Sequence, residues 1–421
     1  MSAADVDTEL LAIAHAMAGL DHAVKDDTSA WAASHLAQHD RVAADLEARF
    51  APGDWQALAD RGVFRVLVPT ELGGSYTTLA DALLTLEGLG HGCRDNGLVF
   101  AAGSQVLSTQ EALVRFGTPE QHERWLTPLV DGSIMGSFAM TEPDVGSDAY
   151  SIGSTAVADG DGFVLNGHKA YITFGSRADL VIAFASTDPS AGAWGLSAFL
   201  VPTDLDGVEL LGNRDKMGMR TTPFGDIRFT DVRLPAGALL GRVGAGASIF
   251  NAVIQVERAF VLTTQVGALQ RQLEGSIDYA RRREQGGQPI ARHQAVAHRL
   301  ADMKQHHETA RLHVYRAAIA SVTGRDVPMT AAMSKLVGSE AGIEAALSAV
   351  SVHGAPGYVS EFEVERDLRD AIGGLVYSGT SDIQRNIIAR LLGVGSRAVP
   401  ITRAPALPVP TDRPAPTRLL T

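Results

Sequence analysis

The chain has 421 residues, 45% hydrophobic and 20% charged, the balance of an ordinary soluble protein with room for two or three domains. Its 36 basic and 48 acidic residues give a formal net charge of -12, which argues against a nucleic-acid surface, because phosphate binding wants a basic excess. Cys93 is the only cysteine, so no intrachain disulfide or cysteine metal cluster can form, and no metal is expected. Residues 10–18 are apolar but short, hold His15 and follow no basic region, so they are not read as a signal peptide. No uninterrupted apolar run reaches transmembrane length, and a cytoplasmic protein without membrane contact is the expectation.

Residues 1–135 read as a helical domain. Segments 55–59, 79–89 and 105–116 carry apolar residues at spacings of three and four. Residues 68–74 (VPTELGG) break the pattern and read as a loop. Thr118, Pro119 and Gln121 have the spacing of a capped helix start. Cys93, inside HGCRDNG at 91–97, has no paired base and reads as a small residue at a helix break. Residues 136–247 change period, with short apolar strands predicted at 163–165, 180–185, 196–201 and 227–229. DGDG at 159–162 and Asn166-Gly167 read as hairpin turns, so a small, mostly antiparallel sheet domain or barrel is predicted. Residues 248–397 return to long helices, at 249–283, 291–322, 330–353 and 380–392, and four helices on short connections indicate a bundle. Residues 398–421 hold Pro400, Pro405, Pro408, Pro410, Pro414 and Pro416 and read as an extended or flexible tail.

Between the first helical part and the strands lies FAMTEPDVGSD at 138–148. Hydroxyls, small residues and backbone N–H groups share one tight turn there. Pro143 stiffens it, and Gly146 permits backbone angles closed to other residues. Such a turn can meet a planar polar ring or a phosphate edge-on, or can be a plain interdomain turn.

The string resembles the flavin-contacting segment of the acyl-CoA dehydrogenase family, and further blocks of that family follow in order. They are NGHKAYIT at 166–173, KMGMR at 216–220, FTDVRLP at 229–235, Glu257-Arg258, YARRR at 279–283, Pro289-Ile290 with Gln294, VHGAPGY at 352–358, Arg369-Asp370 and YSGTSDIQR at 377–385. The resemblance spans roughly residues 10–395. It implies a mainly α fold with a central antiparallel β-domain, a carboxyl-terminal four-helix bundle and FAD as cofactor. Phe138, Met140, Thr141, Gly146, Ser147, Tyr171 and Thr173 match residues around the flavin and ribityl parts. Tyr171 stands where the aromatic is usually tryptophan. Arg283 and Gln294 match residues that reach the pyrophosphate or adenine end of a neighbouring subunit's FAD. Arginine offers a rigid fork of donors to phosphate there, and glutamine both donates and accepts. Gly354 and Gly357 match glycines at that subunit contact, although Ala355 replaces a frequent glycine. Gly286 replaces the aromatic common beside Arg283. Thr380 and Asp382 match positions near the FAD edge at a helix start, where free N–H groups favour oxygen-rich ligands. Arg220 matches a structural or ligand-edge contact. Asn96 to Gln105 match the far end of the acyl pocket.

The family's chemistry asks for a base and a hydride acceptor on opposite faces of a thioester, with hydrogen bonds to the carbonyl oxygen stabilising the charge that develops there. Most members carry a catalytic glutamate directly before Gly-Thr in the last-helix loop. Ser378 occupies that place here, and a neutral serine has no base of suitable pKa. Glu257 matches the alternative position used by the isovaleryl- and long-chain-type members, and it is the expected base. His353 is a rival by residue type at a position associated with packing. Arg258, Ser147, Tyr377 and Ser378 are the expected substrate contacts. The expected activity is dehydrogenation of an acyl-CoA or acyl-carrier-protein thioester to the trans-2-enoyl product. The resemblance implies an electron-transfer flavoprotein or O2 as acceptor and a homotetramer or dimer. A flavin-dependent monooxygenase and a non-catalytic flavin-binding protein on the same fold are the alternatives.

Overall fold

The computed structural model describes residues 19–395, so residues 10–18 and the tail at 398–421 lie outside the described residues. The amino-terminal helices are α1 (His22–His35), α2 (Arg41–Leu46), α3 (Pro52–Asp60), α4 (Leu79–Gly92), α5 (Asn96–Ser104), α6 (Glu111–Phe116), α7 (Pro119–Gln121) and α8 (Thr127–Val130). Thr118 and Gln121 form the capping box that their spacing predicts: the Gln121 N–H donates to Thr118 Oγ1 at 3.3 Å, and the Thr118 N–H to Gln121 Oε1 at 3.1 Å. The stripe at 105–116 is not one regular helix. A π-helical turn, Gln105–Gln110, joins α5 to α6, and all six of its residues are buried. The predicted loop at 68–74 contains one 3-10 turn, Thr70–Leu72.

The sheet is built from β1 (Gly136–Ala139), β2 (Thr155–Asp159), β3 (Gly162–Thr173), β4 (Leu180–Ser186), β5 (Leu196–Pro202), β6 (Val208–Asn213), β7 (Phe224–Leu234) and β8 (Leu239–Leu240). Its order is β6-β7-β3-β2-β4-β5-β8, with β1 beside β4. Most pairs are antiparallel, but β1 runs parallel to β4, and β2 meets β4 in parallel at Thr155 and Ser186, so the sheet is mixed. Every residue of β4 is buried, which explains why its sequence is a continuous apolar run instead of an alternation. The turn at 159–162 closes the β2–β3 hairpin. Asn166-Gly167 is not a turn: it lies inside β3, at an irregularity against β7. Glycine is needed there for close approach, because a Cβ on Gly167 would fall 2.1 Å from Ser154 Oγ. Asn166 pairs with Asp231 across the bulge, taking its N–H at 2.8 Å.

The carboxyl-terminal part holds α9 (Gly246–Phe260), α10 (Thr263–Arg282), the two-residue strands β9 (Glu284–Gln285) and β10 (Gln288–Pro289), α11 (Gln294–Thr323), α12 (Val327–His353), α13 (Ala355–Tyr358), α14 (Val364–Gly373) and α15 (Ser381–Leu391). The helix predicted over 249–283 is two helices with a break at Val261-Leu262. Helix α14 is absent from the sequence reading because its string, VERDLRDAIG, is polar. Arg366 and Asp370 are nevertheless buried in it, and Arg369 Nη2 bonds Asp45 at 2.7 Å. Arg220 ties the sheet to the amino-terminal helices: its Nε donates to the Asp45 carbonyl at 2.8 Å and its Nη2 to the Leu46 carbonyl at 3.2 Å. It is a structural brace.

Helices α4 and α10 touch backbone to backbone through two glycines. A Cβ on Gly90 would stand 1.7 Å from the Thr264 carbonyl oxygen, and one on Gly267 would stand 2.0 Å from that of Glu87. The opposing atoms are main chain and cannot swing away. Gly90→Ala is therefore expected to destabilise the fold by about 3 kcal/mol, the upper range for overpacking, read as a lower urea midpoint at unchanged slope.

Candidate active site

Glu257 lies near the end of α9 and faces two serines from distant parts of the chain. Ser108, in the π turn, donates to Glu257 Oε2 at 2.7 Å. Ser378, in the loop before α15, donates to Oε1. The carboxylate is thus held at both oxygens. Ser378 has φ 54, a left-handed conformation uncommon outside glycine, and local strain of that kind is typical of sites whose surroundings over-determine the backbone. Arg258 Nε donates to the Ser378 carbonyl at 3.2 Å, and Gln384 Nε2 donates to the Gly379 carbonyl at 2.8 Å, so the loop is pinned from α9 and from α15. Burial lowers the Arg258 pKa, with the Glu257 charge opposing.

Tyr377 lies behind this loop, with its ring 4.7 Å from that of Phe100. Burial raises its phenol pKa, and the charges of Glu257 and Asp370 push the same way, so it stays protonated. Lys335 of α12 is fully buried, donates to the Gly374 carbonyl and sits 5.1 Å from the centre of the Tyr377 ring. Burial holds its pKa down to about 8, opposed by Glu257 and reinforced by Arg258. Beyond Tyr377, between α5, α10 and α14, is a cavity of about 20 Å³ lined by Asn96, Val99, Gln265 and Asp370.

The π turn also reaches the sheet. Gln105 Oε1 accepts the Gly136 N–H at 3.1 Å, and Thr109 Oγ1 donates to the Gly136 carbonyl at 3.2 Å. One wedge of buried polar residues therefore connects Glu257 with the start of β1. At the end of β1, the Ala170 N–H donates to the Thr141 carbonyl at 3.0 Å, and Ser137 Oγ donates to the Thr173 carbonyl at 2.9 Å. Met140 and Thr141 thus lie beside Tyr171 and Thr173, forming one wall. Gly146 and Ser147 are exposed on the turn that follows. Gly146 does not use a positive φ; open space lies where a Cβ would point. Tyr171 does, at φ 60; the residue is 50% exposed, and the Arg214 guanidinium stands 4.6 Å from the centre of its ring. Phe138 packs into an aromatic cluster, 5.0 Å from Phe184 and 6.1 Å from Phe250.

The turn itself is held by a residue the sequence reading passed over. Glu142 is buried and bonds the fully buried Lys169 at 2.8 Å, the Gly153 N–H at 2.6 Å and the Ser154 N–H at 3.0 Å. Burial pushes the Glu142 pKa up, but Lys169 and these donors outweigh it and hold the carboxyl below its usual range. Burial holds the Lys169 pKa down to about 8, with Glu142 opposing.

The remaining expected residues lie elsewhere. Arg283 follows α10, whose 20 residues span about 30 Å, so it is one helix length from the end of α9. Gln294 opens α11, and Gly354, at φ 66, ends α12. The Tyr279 hydroxyl donates to the His353 carbonyl at 3.2 Å, which brings the Arg283 and Gly354 ends together, and all three residues are exposed. Thr380 caps α15, accepting the Ile383 N–H at 3.2 Å, and Asp382 is exposed in its first turn. His353 is engaged with the Ala349 carbonyl at 2.8 Å and stacked on Tyr279, away from the Glu257 loop. Cys93 caps α4 from inside the core, where burial pushes its thiol up to about 12, so it is no nucleophile at neutral pH.

A helical layer, a small sheet and a helical bundle surround a carboxylate pinned at both oxygens, the architecture that the sequence resemblance leads one to expect. Comparison with known proteins agrees. The family descriptions "Acyl-CoA dehydrogenase, N-terminal domain", "middle domain" and "C-terminal domain" match residues 21–133, 137–232 and 244–393. An L-prolyl-[peptidyl-carrier protein] dehydrogenase of Pseudomonas fluorescens is 37% identical over 344 residues, 82% of this chain and 90% of that protein. The short-chain specific acyl-CoA dehydrogenase of Bos taurus is 36% identical over 345 residues, 82% of this chain and 83% of that protein. A solved structure described as "PigA with FAD and proline" has a TM-score of 0.85 and 34% identity, covering 88% of this chain and 97% of the other. The chain belongs to the acyl-CoA dehydrogenase family and is an oxidoreductase; FAD-dependent dehydrogenation of an acyl thioester is its general activity.

The serine pair gives a direct test. Ser108→Ala and Ser378→Ala are each expected to slow flavin reduction by thioester about tenfold, since a hydrogen bond to a charged group is worth about 1.5 kcal/mol or more and each anchors one carboxylate oxygen. Stopped-flow absorbance of the flavin reads the effect.

Proposed function

We propose that the protein dehydrogenates a small acyl group, a prolyl or short acyl residue, carried as a thioester on a carrier protein. The single observation that carries the reading is Glu257, held at both oxygens by Ser108 and Ser378 beside Tyr377. The small acyl group is supported by the relatives named above, one a prolyl-carrier dehydrogenase and one a short-chain acyl-CoA dehydrogenase. The carrier is supported by the prolyl-carrier relative named above.

In this reading Glu257 removes the proton from the carbon beside the carbonyl. The neighbouring carbon loses a hydride, the bond between the two carbons becomes double, and an unbranched group leaves as the trans-2-enoyl thioester. FAD, when bound, supplies the two-electron acceptor. Met140, Thr141, Gly146, Ser147, Tyr171 and Thr173 hold its flavin end, with Phe138 packing behind them and Thr380 and Asp382 at its edge. The open face at Gly146 and the half-exposed Tyr171 beside Thr141 fit a planar ring. Arg283, Gln294 and Gly354 sit about a helix length away and serve the cofactor of a neighbouring copy, so the working form is a homo-oligomer. Arg258 positions the Ser378 loop, and Tyr377 closes the acyl pocket and excludes water. An electron-transfer flavoprotein or O2 takes the electrons, and the protein works in the cytoplasm; among the described residues no helix is long and apolar enough to cross a membrane.

Incubation of holo-protein with prolyl-carrier, butyryl-carrier, prolyl-CoA and butyryl-CoA thioesters, followed by mass spectrometry of the acyl group, tests the assignment. Loss of two hydrogens from the carrier-bound groups, faster than from the CoA esters, is expected. Faster turnover of the CoA esters contradicts the carrier assignment.

A further inference from the structure

Ser334 and Lys335 are neighbours on α12, and they grip two sides of the Glu257 site. Ser334 Oγ donates to the Ala259 carbonyl at 2.7 Å, two residues past Glu257 on α9. Lys335 Nζ donates to the carbonyl of Gly374, the residue that ends α14 and opens the loop carrying Tyr377 and Ser378. Both residues are fully buried. The loop is short and internally bonded: the Tyr377 N–H donates to the Gly373 carbonyl at 3.2 Å, and the Ser381 N–H to the Leu375 carbonyl at 3.0 Å. A grip at Gly374 therefore sets where Ser378 meets the Glu257 carboxylate. One turn further along α12, a Cβ on Gly338 would stand 2.9 Å from Leu262 Cδ1, so α12 lies close against the break between α9 and α10.

Holding one carbonyl needs a donor but not a charge, and an ammonium out of water is costly unless an opposite charge acts on it. Burial pushes Lys335 down to about 8, so it is still charged at neutral pH; Glu257 is the carboxylate that opposes this shift, and Arg258 reinforces it. Arg258 is a second cation beside Glu257, its charge opposed by burial and supported by that carboxylate. Tyr377, whose ring centre lies 5.1 Å from Lys335 Nζ, stays protonated. The other elements packed against α12 bring Asp370 of α14, which acts on Tyr377, and Arg385 of α15, which pairs with Glu340. They also bring Arg316 of α11, with its Nη1 4.0 Å from Met333 Sδ, and the neutral Gln265 of α10 against Gly342.

We propose that Lys335 is a positioning residue for proton removal: through Gly374 it fixes the Ser378 loop against Glu257, and its buried ammonium favours the ionised, proton-accepting form of that carboxylate. The proposal rests on Glu257 as the base. Ser108 and Ser378 orient the carboxylate but are neutral, so the charge that keeps it ionised has to come from elsewhere, and a cation held nearby favours the charged form of a carboxyl. Ser334 shares the grip on α9 without the charge, which allows the two effects to be separated.

Single-turnover reduction of the flavin by butyryl-CoA, recorded as a function of pH for the holo-protein and for Lys335→Met, Lys335→Gln and Ser334→Ala, tests the proposal. Lys335→Met removes both charge and donor, and Lys335→Gln removes the charge while keeping a donor for the buried Gly374 carbonyl, so the second variant stands in where the first does not fold. Both Lys335 variants are expected to reach half-maximal rate at a pH about one unit above that of the wild type, the lower range for a lost neighbouring charge. Ser334→Ala is expected to slow reduction at every pH and leave the midpoint in place. A wild-type midpoint in flavin-loaded Lys335→Gln, or an equal shift in Ser334→Ala, overturns the proposal. Glu257→Gln, run in parallel, separates the two readings: a wild-type rate there removes the base itself, whereas a slow Glu257→Gln beside an unmoved Lys335→Gln midpoint removes only the role of Lys335.

Discussion

Glu257→Gln is expected to slow reduction of the bound flavin by thioester about 10²–10⁴-fold, the usual contribution of a positioned general base. Glutamine keeps the shape of the side chain and can still bond Ser108 and Ser378, so folding and cofactor binding should persist. The variant isolates proton removal. Single-turnover reduction under anaerobic conditions is the measurement, because it separates the chemical step from binding and product release. The rival residue is already engaged: His353 is bonded to the Ala349 carbonyl and stacked on Tyr279. His353→Gln is therefore expected to leave the proton-removal step intact.

Lys169→Met should cost about 3–5 kcal/mol of stability, the usual result of leaving a buried charge without its partner. Lys169 is fully buried, and Glu142 is only 8% exposed, so solvent does little to replace the lost partner. The same carboxylate organises the turn after β1 by accepting the Gly153 and Ser154 N–H groups, so flavin affinity should fall together with the melting temperature. A double variant, Lys169→Met with Glu142→Gln, should recover part of the stability, since no unpaired charge remains. The pH dependence has a definite sign. The folded-state pKa of Glu142 is depressed, so its contribution is complete above the ordinary carboxylate range near about pH 4.3 and is lost as pH falls through the lower folded value. Glu142→Gln should remove that acid limb from a plot of stability against pH.

The helical layers, the strands and the bundle were legible because their apolar periods are long and clear. Glu257 is the expected base because Glu257-Arg258 stands at a matching place while Ser378 displaces the usual glutamate, and the structure shows its carboxylate bonded to Ser108 and Ser378. What escaped has physical reasons. Ser108 faces Glu257 only because Gln105–Gln110 winds as a π turn, which shifts the register that a 3.6-residue period predicts. Helix α14 escaped because two of its three buried residues are charged: Arg366, paired with Glu363, and Asp370, which accepts from Asn96 and the Met219 N–H. Asn166-Gly167 has the composition of a hairpin turn, yet its glycine serves a backbone approach to Ser154 within β3. Glu142 and Lys169 sit in both motif strings as ordinary charges, and only packing makes them a buried pair. The break at Val261-Leu262 lies between two apolar residues and carries no glycine or proline to announce it.

The most direct test of the account is anaerobic mixing of the oxidised holo-protein with a prolyl or short acyl carrier-protein thioester while the flavin spectrum is recorded. Rapid bleaching of the flavin in the wild type, with the same thioester leaving the Glu257→Gln spectrum oxidised on that time scale, is the predicted result. Bleaching at equal rates in both proteins, or no bleaching by any carrier or CoA thioester, would contradict it.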